Sequence, residues 1–169
     1  VNIPFVINNM RYKMRARAVR LHGENDLRLE EIELPSIGED EILAKVVSDS
    51  ICMSSYKATV QGPRHKRVPD NIAEEPIIIG HELSGEILQV GDRWKSSFSR
   101  GQRFSIQPAL NYAGKLNGMG APGYSYQYIG GDATHIVIPR EVMELGCLLP
   151  YEGPAQYLAS LSEPVSCIV

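Results

Sequence analysis

The chain has 169 residues, a net charge of −3 and a pI near 5.8. Hydrophobic residues make up 43% and charged residues 22%, which supports a packed core and excludes disorder as the main state. The acidic balance argues against nucleic acid as a partner, and no apolar run approaches the roughly 20 residues that span a membrane.

Residues 1–13 read as an extension ahead of the domain, with no signal-peptide pattern. Residues 14–22 alternate Arg with Met, Ala and Val, the pattern of a half-buried strand. Residues 27–34 alternate too, but the phase slips at Glu30 and Glu31, so a bulge is expected there. Charge is uneven across these two segments. Residues 1–23 carry five Lys and Arg and no acid, whereas residues 24–41 carry eight acids against Arg28 alone. Two solvated strand faces account for this.

Residues 41–52 form a third strand, rich in β-branched side chains. A short helix is expected over 54–60, capped by Ser54 or Ser55. A polar loop follows, holding Arg64, His65, Lys66 and Arg67. Residues 76–91 read as a strand, a bend at Gly80 and a second strand, with Gly85 suited to a bulge or a close backbone approach. Residues 102–107 are another strand.

The segment 108–131 holds six Gly, two Pro and four Tyr, and a loop of that length is often functional. Its Gly118–Gly123 stretch matches the spacing of a dinucleotide fingerprint. Pro122 and the Tyr-Ser-Tyr that follows make it a turn-rich loop instead, because the fingerprint needs a strand before it and a helix after it. Residues 132–138 and 145–149 read as strands, and 155–169 as helical, with Ser162 as a cap. Six or seven short strands at such spacing predict a mainly β domain, a barrel or a sandwich.

Three cysteines, Cys52, Cys147 and Cys167, are too few and too scattered for a disulfide framework, and they fit a reducing cytoplasm. Cys147 and Cys167 read as core residues. Cys52, His81, Glu82 and Glu163 carry thiolate, imidazole and carboxylate, the usual zinc ligands. Taken singly, Cys52 reads rather as a core cysteine than as a ligand, and His81 at least as readily as a satisfied structural histidine.

In order, the segments SDSICMSSY, IIIGHELSGEILQVG, GQRFSIQP and SEPVSCIV resemble the zinc-dependent medium-chain dehydrogenase family. The resemblance covers residues 14–169. It implies a GroES-like, partly open β-barrel with a few short helices over residues 14–153, followed by the start of a helical connection at 154–169. A nucleotide-binding domain is then expected beyond residue 169, and the chain alone is expected not to transfer hydride. The resemblance further implies an NAD(P)-dependent oxidoreductase acting on a polyol or ketose phosphate, cytoplasmic, with the whole enzyme a homo-oligomer. By the same resemblance Cys52 and His81 are zinc ligands. Glu163 is the third ligand, directly or through water, Glu82 is the carboxylate behind the zinc, and Ser54 passes a proton.

The chain departs from that family's pattern in three places. Met53 and Ser55 replace the Gly and Asp of Cys-Gly-Ser-Asp. Lys57 stands where relatives carry a proton-relay His; it either takes over the relay or is simply solvated. The segment 108–131 has no Cys, so one catalytic zinc and no structural zinc is expected, with Tyr112, Tyr124, Tyr126 and Tyr128 stiffening the lobe by packing. Arg64, Lys66 and Arg67 are either a solvated face or a grip for a substrate phosphate. The competing function is a metal-free binding or assembly module on the same barrel.

Overall fold

A computed structural model describes residues 14–110 and 119–168. Eight strands and four short helices follow in order: β1 (Arg15–Gly23), β2 (Asp26–Glu33), β3 (Ile42–Asp49), α1 (Met53–Gln61), β4 (Ile77–Ile78), β5 (Leu83–Val90), β6 (Arg103–Ile106), β7 (His135–Ile138), α2 (Arg140–Glu144), β8 (Leu148–Pro150), α3 (Gln156–Ser160) and α4 (Ser162–Ser166). The strands form two antiparallel sheets, ordered β2-β1-β4 and β7-β3-β5-β6-β8. The sheets meet where Ala18 bridges Ala133 and where Val19 and Thr134 exchange backbone bonds with Asp132 and Arg17. The result is the mainly β, incompletely closed barrel that the sequence leads one to expect. No helix among the described residues is long and apolar enough to cross a membrane.

Strand β1 behaves as its alternation demands. Ala16 and Ala18 are buried while Arg15 and Arg17 point outward. Its partner explains the segregated charge, because Arg15 lies opposite Glu33 and Arg17 opposite Glu31. Such exposed cross-strand pairs contribute little stability, up to about 1 kcal/mol each. The bulge expected at Glu30 and Glu31 does not form. Pairing is continuous there, and the register shift falls between Leu21 and Gly23 on β1. No residue of β2 is fully buried, so neither face had to be kept in phase.

The main core lies on the five-stranded sheet, around Ile42, Leu83, Ile87, Phe104, Ile136 and Ile138. Strand β5 passes close beneath β3 at Gly85, where a Cβ would collide with the Lys45 carbonyl oxygen and the Phe104 ring. The close approach predicted for that glycine is therefore present.

Four local expectations need correction. Helix α1 is capped by Cys52, whose Sγ accepts the Ser54 N–H at 3.4 Å, rather than by Ser54 or Ser55. Residues 132–134 bond back to β1 instead of extending β7. Helix α2 was not expected; Val142 and Met143 drive it by burying themselves in the main core. The terminal helical stretch breaks into α3 and α4, and Ser162 sits inside α4 while Leu161 occupies the cap.

Helix α3 is held on the sheet by polar contacts. Ser105 Oγ donates to the Ala159 carbonyl at 2.8 Å and Ser84 Oγ to that of Gln156 at 3.1 Å. Gln156 Nε2 donates to the Gly85 carbonyl at 3.0 Å, and the Ser48 and Ser160 hydroxyls meet at 3.0 Å. These bonds fix where α4, and with it Glu163, leaves the sheet.

Candidate metal centre

Cys52 lies just past β3, where capping α1 turns its thiol toward the strand bend between β4 and β5. That bend carries His81 and Glu82, both buried. Gly80 makes the bend possible. Its φ is 90°, a left-handed conformation that costs glycine little, and a Cβ there would strike the Asp49 carboxylate and the Asp132 backbone nitrogen. The ligand atoms of Cys52, His81 and Glu82 all lie within 4.8 Å of one another. Sulfur, nitrogen and oxygen donors grouped this closely suit a zinc ion, so the residues present fit the metal that the resemblance implies.

Both ring nitrogens of His81 are engaged. Nδ1 lies 3.2 Å from Ser55 Oγ and Nε2 lies 3.2 Å from the Tyr124 hydroxyl. Burial holds its pKa below the ordinary histidine range; Glu163 pulls the other way and Arg67 adds to the lowering. The ring is thus neutral, as a metal ligand must be. Burial pushes the Glu82 carboxyl up, the Cys52 thiol within hydrogen-bonding reach draws it down, and Glu163 raises it again.

Glu163, Ser54, Arg67, His81 and Tyr124 line one cavity of about 130 Å³, floored by Ala121 and walled by Pro108 and Ala109. Ser54 is exposed at its mouth and within hydrogen-bonding reach of Tyr124. Lys57 lies on the solvent side of α1 beside His65. Arg64 turns away, pairing with Glu24 at 2.7 Å, and Lys66 is exposed near His65. The structure therefore brings together Cys52, His81, Glu82, Glu163, Ser54 and Arg67, and leaves Arg64 apart.

Tyr124 is the residue that sequence reasoning placed only as packing. Its ring stacks on His65 at 5.6 Å and tilts against His81 at 4.7 Å. Burial raises its pKa far above the usual phenol value, so the hydroxyl stays protonated. Nothing in a Gly- and Tyr-rich loop distinguishes this tyrosine from its neighbours. Tyr126 and Tyr128 do pack against the cores, and Tyr112 lies outside the described residues. Gly118 also lies outside them, and residues 119–123 lead into a turn rather than a helix. Cys147 is buried as expected. Cys167 is not a core residue. It is exposed at the end of α4, with Sγ 3.7 Å from a Glu163 oxygen, because that helix has no layer covering it among the described residues.

The family model for the alcohol dehydrogenase GroES-like domain matches residues 38–146. The chain is 53% identical over 152 residues to L-sorbose 1-phosphate reductase of Klebsiella pneumoniae, covering 90% of this chain and 36% of that protein. It is 50% identical over 147 residues to mannitol-1-phosphate 5-dehydrogenase of Aliivibrio fischeri, covering 87% and 34%. The chain thus spans about a third of the length of these relatives. The crystal structure of 2R,3R-butanediol dehydrogenase from Bacillus subtilis superposes with a TM-score of 0.70 at 27% identity, over 88% of this chain and 44% of that one.

Proposed function

The chain belongs to the alcohol dehydrogenase GroES-like domain family, and from that premise we propose that it is the zinc-binding catalytic part of an NAD(P)-dependent oxidoreductase. The enzyme interconverts a polyol or sugar-alcohol phosphate and its ketose. Reduction of L-sorbose 1-phosphate is the specific reaction that the 53% identical relative supports. The observation that carries this reading is the convergence of Cys52, His81 and Glu82 within 4.8 Å, with Glu163 on the wall of the adjoining cavity. A metal-free assembly module has no use for a Cys-His-Glu cluster whose His81 and Glu82 are buried beside a cavity, which disfavours that alternative.

Cys52, His81 and either Glu82 or Glu163 would hold the zinc. Bound there, zinc acts as a Lewis acid that polarises a substrate carbonyl or eases ionisation of an alcohol. The remaining work falls to the chain's own side chains. With the Nδ1 proton of His81 donated to Ser55 Oγ, the Nε2 lone pair, which the Tyr124 hydroxyl meets at 3.2 Å, would be available to the metal. Ser54, at the mouth of the cavity, takes the substrate's hydroxyl proton and passes it outward without itself carrying charge. Pro108, Ala109 and Ala121 supply an apolar wall that limits water. The nicotinamide cofactor would be held by a domain outside this chain, with residues 14–153 as the catalytic unit and 154–169 as the connection.

Metal analysis of the purified chain tests the proposal. About one zinc per chain is expected, with Cys52→Ser and His81→Ala each abolishing it. A folded wild-type chain that takes up no zinc from a stoichiometric supply would overturn the reading.

A further inference from the structure

Beside the metal-ligand candidates stand three cations that form no ion pair among the described residues, although the Glu163 carboxylate lines the cavity with one of them. Arg67 lines the same cavity as His81 and Glu163 and makes no ion pair among the described residues. Neither do Lys57 and Lys66. Burial first, then the charges of Lys57, Arg67 and Lys66, hold buried His65 below the usual histidine range, so all three cations lie near its ring. Arg64 is satisfied by Glu24 and plays no part.

Arg67 is also held in place. Its backbone N–H donates to His65 Nδ1 at 3.3 Å and its carbonyl accepts from Ser125 Oγ at 2.6 Å. Its Nη1 donates to the Met119 carbonyl at 2.9 Å, which leaves the rest of the guanidinium fork free toward the cavity. A guanidinium held in this way, with no ion pair among the described residues, suits a phosphate, whose oxygens accept the fork, and the positive charges of Lys57 and Lys66 acting near His65 favour an anion there. Glu163 on the same cavity repels an anion, so the phosphate belongs on the Arg67 side.

We propose that Arg67, supported by the nearby charges of Lys57 and Lys66, is a phosphate-monoester subsite opening onto the metal centre. Lys57 is thereby an anion-binding residue and not a proton relay. The proposal rests on the oxidoreductase reading only for which molecule carries the phosphate, a sugar-alcohol phosphate or a nucleotide cofactor.

The test titrates the chain with inorganic phosphate by calorimetry, zinc-free and zinc-loaded, with zinc content measured on the same samples. Arg67→Gln should weaken binding about tenfold or more in both forms. Arg67→Lys should retain most of it, Lys57→Gln should lose less than Arg67→Gln, and Arg64→Gln should leave binding unchanged. If Arg67→Gln binds phosphate as well as the parent chain, or Arg64→Gln loses as much, the subsite is refuted whatever the zinc content shows. In the enzyme that carries this domain, Arg67→Gln should raise KM for a hexitol phosphate and leave that for the unphosphorylated hexitol unchanged. A rise confined to KM for NADPH, with NADH unaffected, would instead support the subsite as one for the nucleotide. Equal effects on all four compounds would count against it.

Discussion

Replacing Asp49 by Asn should stabilise the fold above neutral pH and do nothing for it in acid. Asp49 ends β3, partly buried, beside the glycines of the strand bend, and its Oδ1 has no hydrogen-bond partner. Burial first, then the carboxylates of Asp132 and Glu82, push its pKa from 3.8 up to about 7, while the N–H groups of Glu82 and Ser50 pull weakly the other way. The native state therefore holds a proton that the unfolded chain has already released. Between about pH 4 and 7 the unfolded state binds fewer protons, so stability falls as pH rises, and it stays lowered above 7. At about 1.4 kcal/mol per unit, the gap sets a ceiling of roughly 4 kcal/mol. Partial exposure of the group and the loss of one acceptor oxygen in Asn bring the expected gain at pH 8 to about 2 kcal/mol. Urea unfolding of both proteins at pH 4, 6 and 8 measures it. The variant should gain on its parent steadily across that range. Parallel pH profiles would show that Asp49 is ionised in the fold at no cost, and the reasoning would fail.

Two further outcomes follow from packing. Gly85→Ala should destabilise the fold by about 2 kcal/mol or more, because the added methyl meets the Lys45 carbonyl and Phe104 with no room to shift; an unchanged melting temperature would contradict this. Ser105→Ala removes the buried bond to the Ala159 carbonyl and should cost about 1 kcal/mol, with faster proteolysis of α3 and α4 and weaker zinc retention if Glu163 is a ligand. Equal proteolysis rates would show that the remaining contacts suffice.

The strands were legible because their signals are local: alternation in β1, β-branched residues in β3, glycines at the bend and at Gly85. What could not be read depended on tertiary context. Helix α2 forms because Val142 and Met143 find a core, and its five residues are too short for any periodicity to announce. The bulge expected at Glu30 failed because β2 has no buried face to protect, and exposure is not written in alternation alone. The residues proposed as ligands were picked out by four ordered segments, since no one of them alone distinguishes a ligand from a core residue. Arg64 is taken up by Glu24, an acid on a turn far away in sequence, while Arg67 reaches the cavity and the Met119 carbonyl, and the run of cations in the sequence distinguishes neither. Tyr124 reaches His81 through a loop whose path no local pattern dictates.

The energetics of Glu82 tie these observations together. A buried carboxylate is stable when a cation or several donors face it. Glu82 instead faces a thiol and a second carboxylate, and its one ion-pair geometry among the described residues is with His81, at 4.0 Å, whose own burial keeps it neutral. Without a metal the cluster is self-repelling, which with burial raises the Glu82 carboxyl above its usual range. A dication placed among the three donors would remove the cost and hold Glu82 ionised. A fold selected for stability alone would put a neutral side chain there. This local cost, set beside well-packed sheets and a bend that only glycine permits, is why the zinc reading is preferred to a barrel that merely binds a partner.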